Sequence, residues 1–192
     1  RDLAACWDGP LHILVNNAAI TPVQREDSPE GVELQFATNV LANYRMIRDF
    51  SPYLYAAEGS QVVNVASYWA GGLDLDDLEF RRRRYNNDAA YRQSKQADRL
   101  LSAAFAERLA DQRIRVNACH PGDVNSTLSN NLGFGGHQSP EEGADTPVWL
   151  AIGSAGTETT GCYFENRRAV PCRCSRDRNM VERLFNACEA YG

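Results

Sequence analysis

The sequence predicts an α/β protein in which a parallel sheet is covered by helices on both faces. Apolar runs rich in β-branched residues, at residues 11–15, 61–67 and 114–119, are typical of buried strands. Stretches with helical spacing of apolar residues alternate with these runs, and this order indicates parallel strands joined by right-handed crossovers. With 192 residues, 43% hydrophobic and 23% charged, we expect a single domain with a substantial core.

The first predicted strand and helix are joined by a loop of small and polar residues. The strand at 11–15 ends in the sequence Asn-Asn-Ala-Ala at residues 16–19. Further on, Ser28 is a predicted N-cap and Pro29 occupies the first helical position. A long helix is therefore predicted from about residue 30 into the fifties.

The second predicted strand ends at a hydroxyl, and the helix after it carries a tyrosine and a lysine. Ser67 is the last residue of the strand. Asp88 is the predicted N-cap of the following helix, which places Tyr91 and Lys95 in its first two turns. Because parallel strands end at one edge of a sheet, we expect the functional residues to collect there.

The remaining elements are predicted from turn and capping patterns. The third strand ends in His-Pro-Gly at 120–122, and residues 126–138 lack periodicity, which predicts a mobile lid loop. Ser-Pro-Glu-Glu at 139–142 is a capping box for a helix that extends to about residue 152. A last strand begins at 161–164, and residues 177–191 form an amphipathic helix.

Composition and charge argue against several classes of protein. A net charge of -5 is unfavourable for nucleic-acid binding, and the arginine run at 81–84 follows an acidic stretch at 74–79 that can neutralise it. No apolar stretch approaches the roughly 18 residues of a membrane span. The six cysteines are scattered, so we expect reduced thiols, no metal site and an intracellular, most simply cytoplasmic, protein. An anchor or targeting segment ahead of Arg1 stays open.

The pair Tyr91 and Lys95 is chemically the most informative feature. Lys95 is the only lysine among 20 lysine and arginine residues. On a helix, residues four apart share a face at about 5–6 Å between Cβ atoms, so the lysine ammonium can stabilise the ionised form of the phenol beside it. This arrangement favours proton transfer by tyrosine, although a Tyr/Lys pair on a solvated face is the simpler alternative for the motif alone.

Several motifs in order resemble those of the short-chain dehydrogenase/reductase superfamily. They are Asn-Asn-Ala-Ala at 16–19, Asn39, Ser67, the Tyr-x-x-x-Lys pair Tyr91 and Lys95, and Pro-Gly-Asp-Val-Asn-Ser at 121–126. The Ser67–Tyr91 insert, the sequence at 90–95, the helix opening at 139–144 and the strand start at 161–164 most resemble the retinol-dehydrogenase-like branch, which includes WW-domain-containing oxidoreductases.

The resemblance implies a fold, an activity and a set of site residues. The fold is a Rossmann-like doubly wound sheet, of which this chain supplies the C-terminal portion with about four parallel strands. The activity is NAD(P)-dependent interconversion of an apolar alcohol and a carbonyl compound, with NADP favoured over NAD and Tyr91 as general acid or base. A homodimer is a possible assembly. The implied catalytic residues are Asn39, Ser67, Tyr91 and Lys95, and the implied cofactor contacts are Asn17, Ala18, Ala19, Tyr91, Lys95, Pro121, Gly122, Val124 and Ser126.

Two departures from the family pattern leave an alternative open. Ala19 replaces the usual glycine, and no glycine-rich phosphate-binding turn precedes residue 11, where residues 1–7 resemble the end of a missing helix. The chain could therefore be a catalytically silent fragment or an interaction module that uses an exposed sheet edge. Individual residues also have structural alternatives. Ser67 could cap the end of its strand, Asn39 could bind helix backbone groups, and His120 could be purely structural. Residues 68–69 could serve either loop packing or substrate contacts.

Overall fold

The computed structural model describes residues 2–192. Within that range five strands form one sheet in the order β1-β2-β3-β4-β5. The strands are β1 (Ile13–Asn16), β2 (Ser60–Val65), β3 (Ile114–Cys119), β4 (Tyr163–Glu165) and β5 (Arg168–Val170). The α-helices are α1 (Asp2–Ala5), α2 (Ala42–Ala56), α3 (Asn87–Arg108), α4 (Thr127–Asn131), α5 (Pro140–Ile152), α6 (Ser154–Glu158) and α7 (Arg178–Ala190). The predicted helix end at residues 1–7 corresponds to α1, with Arg1 outside the described residues.

The first four strands are parallel, as the sequence predicted, and the fifth is antiparallel. Ile13 pairs with Gln61 across β1 and β2, and β2 pairs with β3 in parallel register over their full lengths. β5 pairs with β4 in the antiparallel direction. The carboxyl ends of β1, β2 and β3 therefore lie side by side at one edge, which confirms the Rossmann-like class.

Helices cover both faces of this sheet. Val62 points toward the layer of α2, α3 and α7, where it joins a core that includes Ile47, Leu101 and Leu184. The neighbouring Val63 points to the opposite face and packs with residues such as Leu150 of α5. This alternation is the period of two expected of a strand buried on both sides, and it fixes the strand register relative to both helical layers.

A chain of buried amides and hydroxyls ties the first strand to α3. The Asn16 side-chain amide donates to Asn64 Oδ1 at 2.8 Å, and Asn64 Nδ2 donates to Ser102 Oγ at 2.8 Å. Ser102 Oγ in turn donates to the Asp98 carbonyl at 2.7 Å. Because buried polar groups are costly when unpaired, this chain fixes the distance between β1, β2 and α3.

The helix predicted to begin near residue 30 starts later. Residues 36–41 form a π-helical segment (Phe36–Leu41) that continues into α2. Before it, Asp27 and Glu33 form an isolated antiparallel bridge, and Gly31 turns the chain with φ of 75°. The Ser28 hydroxyl accepts bonds within this turn and caps no helix, so the predicted N-cap was wrong.

Two smaller predictions also needed correction, and one strand was missed. The N-cap of α3 is Asn86, whose Oδ1 accepts the Ala89 N–H at 2.9 Å, and not Asp88. The predicted irregular lid contains α4, which Ser126 caps. The strand β5 was not predicted at all, whereas the capping box of α5 at Ser139 is formed as expected.

The arginine run pairs with the acidic stretch before it. Asp77 accepts the backbone N–H groups of Arg81, Arg82 and Arg83, and Arg81 forms a salt bridge with Glu79 at 2.8 Å. No helix within residues 2–192 has the length and apolar character needed to cross a membrane.

Candidate active site

The carboxyl ends of β1, β2 and β3 open into one cavity of about 600 Å³. This volume falls within the range of small-molecule sites. From the strand ends the cavity is lined by Asn17, Ala18, Ala19, Ser67, His120, Pro121 and Gly122. Its other walls come from α3, from the segment of residues 124–138 that contains the lid, and from α5. They include Tyr91, Lys95, Val124, Ser126, Leu128, Phe134 and Val148. Nearly all the residues predicted for the site are therefore brought together.

Helix α3 places Tyr91 and Lys95 on the same face, toward the cavity. Tyr91 has 8% of its surface exposed and Lys95 has 3%. The Asn86 cap fixes where the helix begins, and the four-residue spacing then stacks the two side chains one turn apart. A lysine this deeply buried needs partners for its charge.

Lys95 has two such partners. Its Nζ donates to the Val65 carbonyl oxygen at 2.7 Å and to Asp98 Oδ2 at 3.0 Å. An ammonium group has three donors, so one N–H remains for a group inside the cavity. Lys95 thus combines a fixed position with one free donor.

Asp98 is the buried counter-ion of this lysine and was not predicted from the sequence. Its other oxygen accepts Asn43 Nδ2 at 2.9 Å, and Asn43 Nδ2 also donates to the Asn39 carbonyl. Burial raises the pKa of the Asp98 carboxyl, while the charge of Lys95 and the hydrogen bonds from Lys95 and Asn43 act against this rise. The i,i+3 spacing of Lys95 and Asp98 was the sequence signal that could have revealed the pair.

Ser67 has a hydroxyl oxygen that accepts a hydrogen bond from the protein backbone. Its Oγ accepts the Trp69 backbone N–H at 3.1 Å, and its carbonyl oxygen accepts Arg99 Nη2 at 2.5 Å. The hydroxyl proton is therefore available to donate to an oxygen in the cavity. Arg99, which holds this strand end, had no recognisable signal in the sequence.

Asn39 does not line the cavity. Its Oδ1 accepts the Ile20 backbone N–H at 2.9 Å, and its Nδ2 donates to the Ile20 carbonyl at 3.0 Å and to Ser94 Oγ at 3.2 Å. These bonds hold the loop after β1, where residues 17–19 form the cavity wall. The backbone of Ala19 lies outside the left-handed region, so its methyl group introduces no backbone strain there.

Aromatic side chains form the outer part of the cavity. Trp69 and Phe134 approach to 4.4 Å between ring centroids, and so do Tyr68 and His120. Burial lowers the pKa of His120 to about 4, which leaves the imidazole neutral near pH 7. The backbone N–H of His120 donates to the Phe164 carbonyl, as expected of a strand end, but its side chain also lines the cavity.

Comparison with known proteins matches most of this chain to one protein family. The family model for short chain dehydrogenases matches residues 2–134. Human retinol dehydrogenase 13 is 30% identical over an alignment of 193 positions, which covers 91% of this chain and 58% of that protein.

Two crystal structures show the same architecture. An uncharacterized protein from Mycobacterium paratuberculosis is 28% identical with a TM-score of 0.76, covering 98% of this chain and 69% of that one. A short-chain oxidoreductase from Brucella ovis, in complex with partially ordered NAD, is 26% identical with a TM-score of 0.57, covering 81% of this chain and 64% of that one.

The chain belongs to the short-chain dehydrogenase/reductase family. Its resemblance to retinol dehydrogenase 13 supports the retinol-dehydrogenase-like branch. The chain spans somewhat more than half the length of that relative, at 58%.

Proposed function

We propose that this chain carries the catalytic residues of an NAD(P)-dependent oxidoreductase that interconverts an alcohol and a carbonyl compound. The observation that carries the proposal is the convergence of Tyr91, Lys95 and the Ser67 hydroxyl on one cavity at the carboxyl ends of parallel strands. A phenol, an ammonium group and a hydroxyl are the groups needed to bind a carbonyl oxygen and to move a proton to or from it.

In this proposal Tyr91 donates its phenolic proton to the substrate oxygen during reduction and removes the hydroxyl proton during oxidation. Lys95 stabilises the phenolate that results, because its positive charge is fixed on the same helix face. Ser67 donates a hydrogen bond to the substrate oxygen and thereby orients it toward Tyr91. Asn39 acts as a positioning residue through the loop it holds.

The residues present fit the nicotinamide and ribose end of a dinucleotide. The wall after β1 consists of small side chains at Ala18 and Ala19, which admit a flat ring, and the free donor of Lys95 can bind ribose hydroxyls. Pro121, Gly122, Val124 and Ser126 complete this side together with Asn17. When bound, the nicotinamide supplies or accepts the hydride.

The proposed substrate is an apolar alcohol or carbonyl compound. The outer cavity is lined by Leu128, Phe134 and Val148 together with the Trp69 ring, and these side chains favour apolar groups.

NADP is the favoured nucleotide by family resemblance. We further propose that residues 1–192 form a single domain, the C-terminal part of a Rossmann fold, in a cytoplasmic protein that can pair as a homodimer.

A second candidate is a catalytically silent or interaction module, and one observation favours it. β1 lies at the end of the strand order, and Ile13 and Val15 on it are 36% and 42% exposed. An edge strand with exposed apolar side chains can pair with another strand. In that case the cavity residues would retain their geometry but would act on no nucleotide.

The two proposals are separated by titrating NADPH and NADH calorimetrically into the purified chain of verified mass. The same sample is then assayed against a panel of apolar aldehydes, ketones and alcohols. Stoichiometric binding with nucleotide-dependent turnover supports the oxidoreductase. Absence of both binding and turnover supports the silent module.

A further inference from the structure

The two cysteines of the Cys-Arg-Cys sequence at 172–174 lie in direct contact. Cys172 Sγ and Cys174 Sγ are 3.3 Å apart, and both thiols are free. We propose that Cys172 and Cys174 form a redox-active dithiol, a site of modification by hydroperoxides that closes to an intramolecular disulfide. This proposal is independent of the oxidoreductase activity.

The backbone brings the two sulfur atoms together. Arg173 has φ of -67° and ψ of -39°, a helical turn that shortens the distance between its neighbours relative to an extended chain. The Ser175 hydroxyl donates to the Cys172 carbonyl at 2.9 Å and holds this turn closed. A disulfide needs an S–S distance of about 2.05 Å, so the sulfur atoms have to approach by only about 1 Å.

The surroundings favour a thiolate on one member of the pair. Hydrogen bonds from the Cys174 thiol and from Ser175 lower the pKa of Cys172, and the positive charge of Arg99 acts in the same direction. The hydrogen bond to Cys172 and burial raise the pKa of Cys174. The hydrogen bonds and the charge of Arg99 therefore favour a thiolate on Cys172 beside a thiol on Cys174, the combination needed for attack and then resolution.

Arg99 is held in place by two other contacts. Its guanidinium stacks on the Tyr163 ring at 3.6 Å from the ring centroid, and it donates to the Ser67 carbonyl oxygen. Because it cannot swing into solvent without losing both contacts, its charge stays close to the two sulfur atoms. The electrostatic support of the thiolate is thus part of the fold.

The pair lies close to the protein surface, with Cys174 more exposed than Cys172. Cys174 is half-buried, Cys172 is 9% exposed, and the residues on either side of Cys172, Pro171 and Arg173, are exposed. By contrast, burial raises the pKa of Cys119 and of Cys188 to about 12. Those two thiols stay protonated and shielded, which disfavours their oxidation relative to that of the pair.

The chemistry proceeds in two steps. The Cys172 thiolate attacks the distal oxygen of the hydroperoxide, so that an S–O bond forms, the O–O bond breaks, and the released alkoxide takes a proton to leave as an alcohol. The Cys174 sulfur then attacks the sulfenic sulfur. An S–S bond forms, the S–O bond breaks, and hydroxide leaves with the thiol proton as water. Two thiols lose two electrons in total, and the hydroperoxide gains them.

The test uses the full chain with Cys6→Ser, which removes an exposed single thiol. The protein is treated with stoichiometric hydrogen peroxide and then digested with trypsin without reduction. Because trypsin cleaves after Arg173, a disulfide joins the peptide of residues 169–173 to that of Cys174–Arg176 with loss of two hydrogen atoms. We expect this linked product, reversed by dithiothreitol. Its absence, with both thiols still free after treatment, would overturn the proposal.

Two further variants assign the roles within the pair. Cys174→Ser should stop the reaction at the sulfenic acid of Cys172, which dimedone labels. Cys172→Ser should slow peroxide consumption about tenfold or more, because the remaining thiol is mostly protonated. Cys162→Ser is the matched control, a half-buried single cysteine, and should react like the parent. Equal loss of reactivity in Cys162→Ser, or full reactivity in Cys172→Ser, would contradict the assignment.

Discussion

The ammonium group of Lys95 and the carboxylate of Asp98 form a buried ion pair, with Nζ 3.0 Å from Oδ2. The Lys95 side chain is 3% exposed and that of Asp98 is not exposed. Removing one partner of such a pair leaves the other charge buried without a counter-ion, which is strongly destabilising. Replacing both partners by apolar groups can leave the stability nearly unchanged. The pair therefore allows stability and catalysis to be separated.

We predict that Lys95→Met lowers the free energy of unfolding by about 3–5 kcal/mol, because Asp98 is left buried without its cation. The double variant Lys95→Met/Asp98→Leu should recover most of this loss. Neither variant should show oxidoreductase activity, since the charge that we propose to stabilise the Tyr91 phenolate is missing in both. Urea denaturation and steady-state assays measure the two quantities separately.

The control for this pair is Arg92→Met, which removes a cation on the exposed side of α3. Arg92 lies 3.9 Å from Asp88 with 49% of its side chain exposed, so its loss should cost less than about 1 kcal/mol. A double variant as active as wild type would show that Lys95 has no chemical role.

Asn39 should act through the loop after β1. Asn39→Ala removes the partners of both backbone groups of Ile20, and we expect a loss of about 2–3 kcal/mol in unfolding free energy. In amide hydrogen exchange, the protection of the Ile20 N–H should fall by more than the loss of unfolding free energy accounts for. Asn130→Ala, at an exposed asparagine, should leave both quantities unchanged. Normal protection of Ile20 in Asn39→Ala would refute this positioning role.

His120 should make the protein less stable in acid. Burial lowers the pKa of His120 to about 4, while an unfolded chain has a histidine pKa of about 6.5. Between these values the unfolded state binds a proton that the folded state does not, so the free energy of unfolding falls as the pH drops from about 6.5 to 4. Allowing for partial exposure, we expect about 1–2 kcal/mol of this loss between pH 7 and pH 5.

The His120 prediction is checked by urea denaturation at both pH values. His120→Gln should lose that part of the pH dependence, and His137→Gln, at an exposed histidine of the lid, should keep the wild-type dependence. If His120→Gln retains the full wild-type dependence, another group is responsible for it.

Local signals predicted the elements that local chemistry determines. The bounds of β3 match the predicted run, and the capping box at Ser139 formed as expected, because strand propensity and capping act over a few residues. The order of strands and helices then placed Ser67 and Tyr91 at one edge of the sheet.

The errors have a common cause in interactions that the sequence does not display. The start of α2 was misplaced because the backbones of Asp27 and Glu33 form an antiparallel β-bridge. This bridge folds the intervening residues into a turn. β5 was missed because its turn places Asn166 and Arg167 at positive φ, without the glycine that usually marks such a hairpin. Asp98 was missed because a carboxylate on a helix is normally solvated, so the i,i+3 spacing from Lys95 alone did not indicate a buried pair.

The most direct test of the proposed chemistry is the carbonyl reduction rate of Tyr91→Phe with saturating NADPH. This variant removes one oxygen atom and should lower kcat by at least about 100-fold, because the proton donor is lost, while nucleotide affinity is retained. Tyr53→Phe is the matched control, since its hydroxyl only donates to the Ala4 carbonyl, away from the cavity, and it should keep wild-type kcat. A Tyr91→Phe protein that turns over at the wild-type rate would contradict the account.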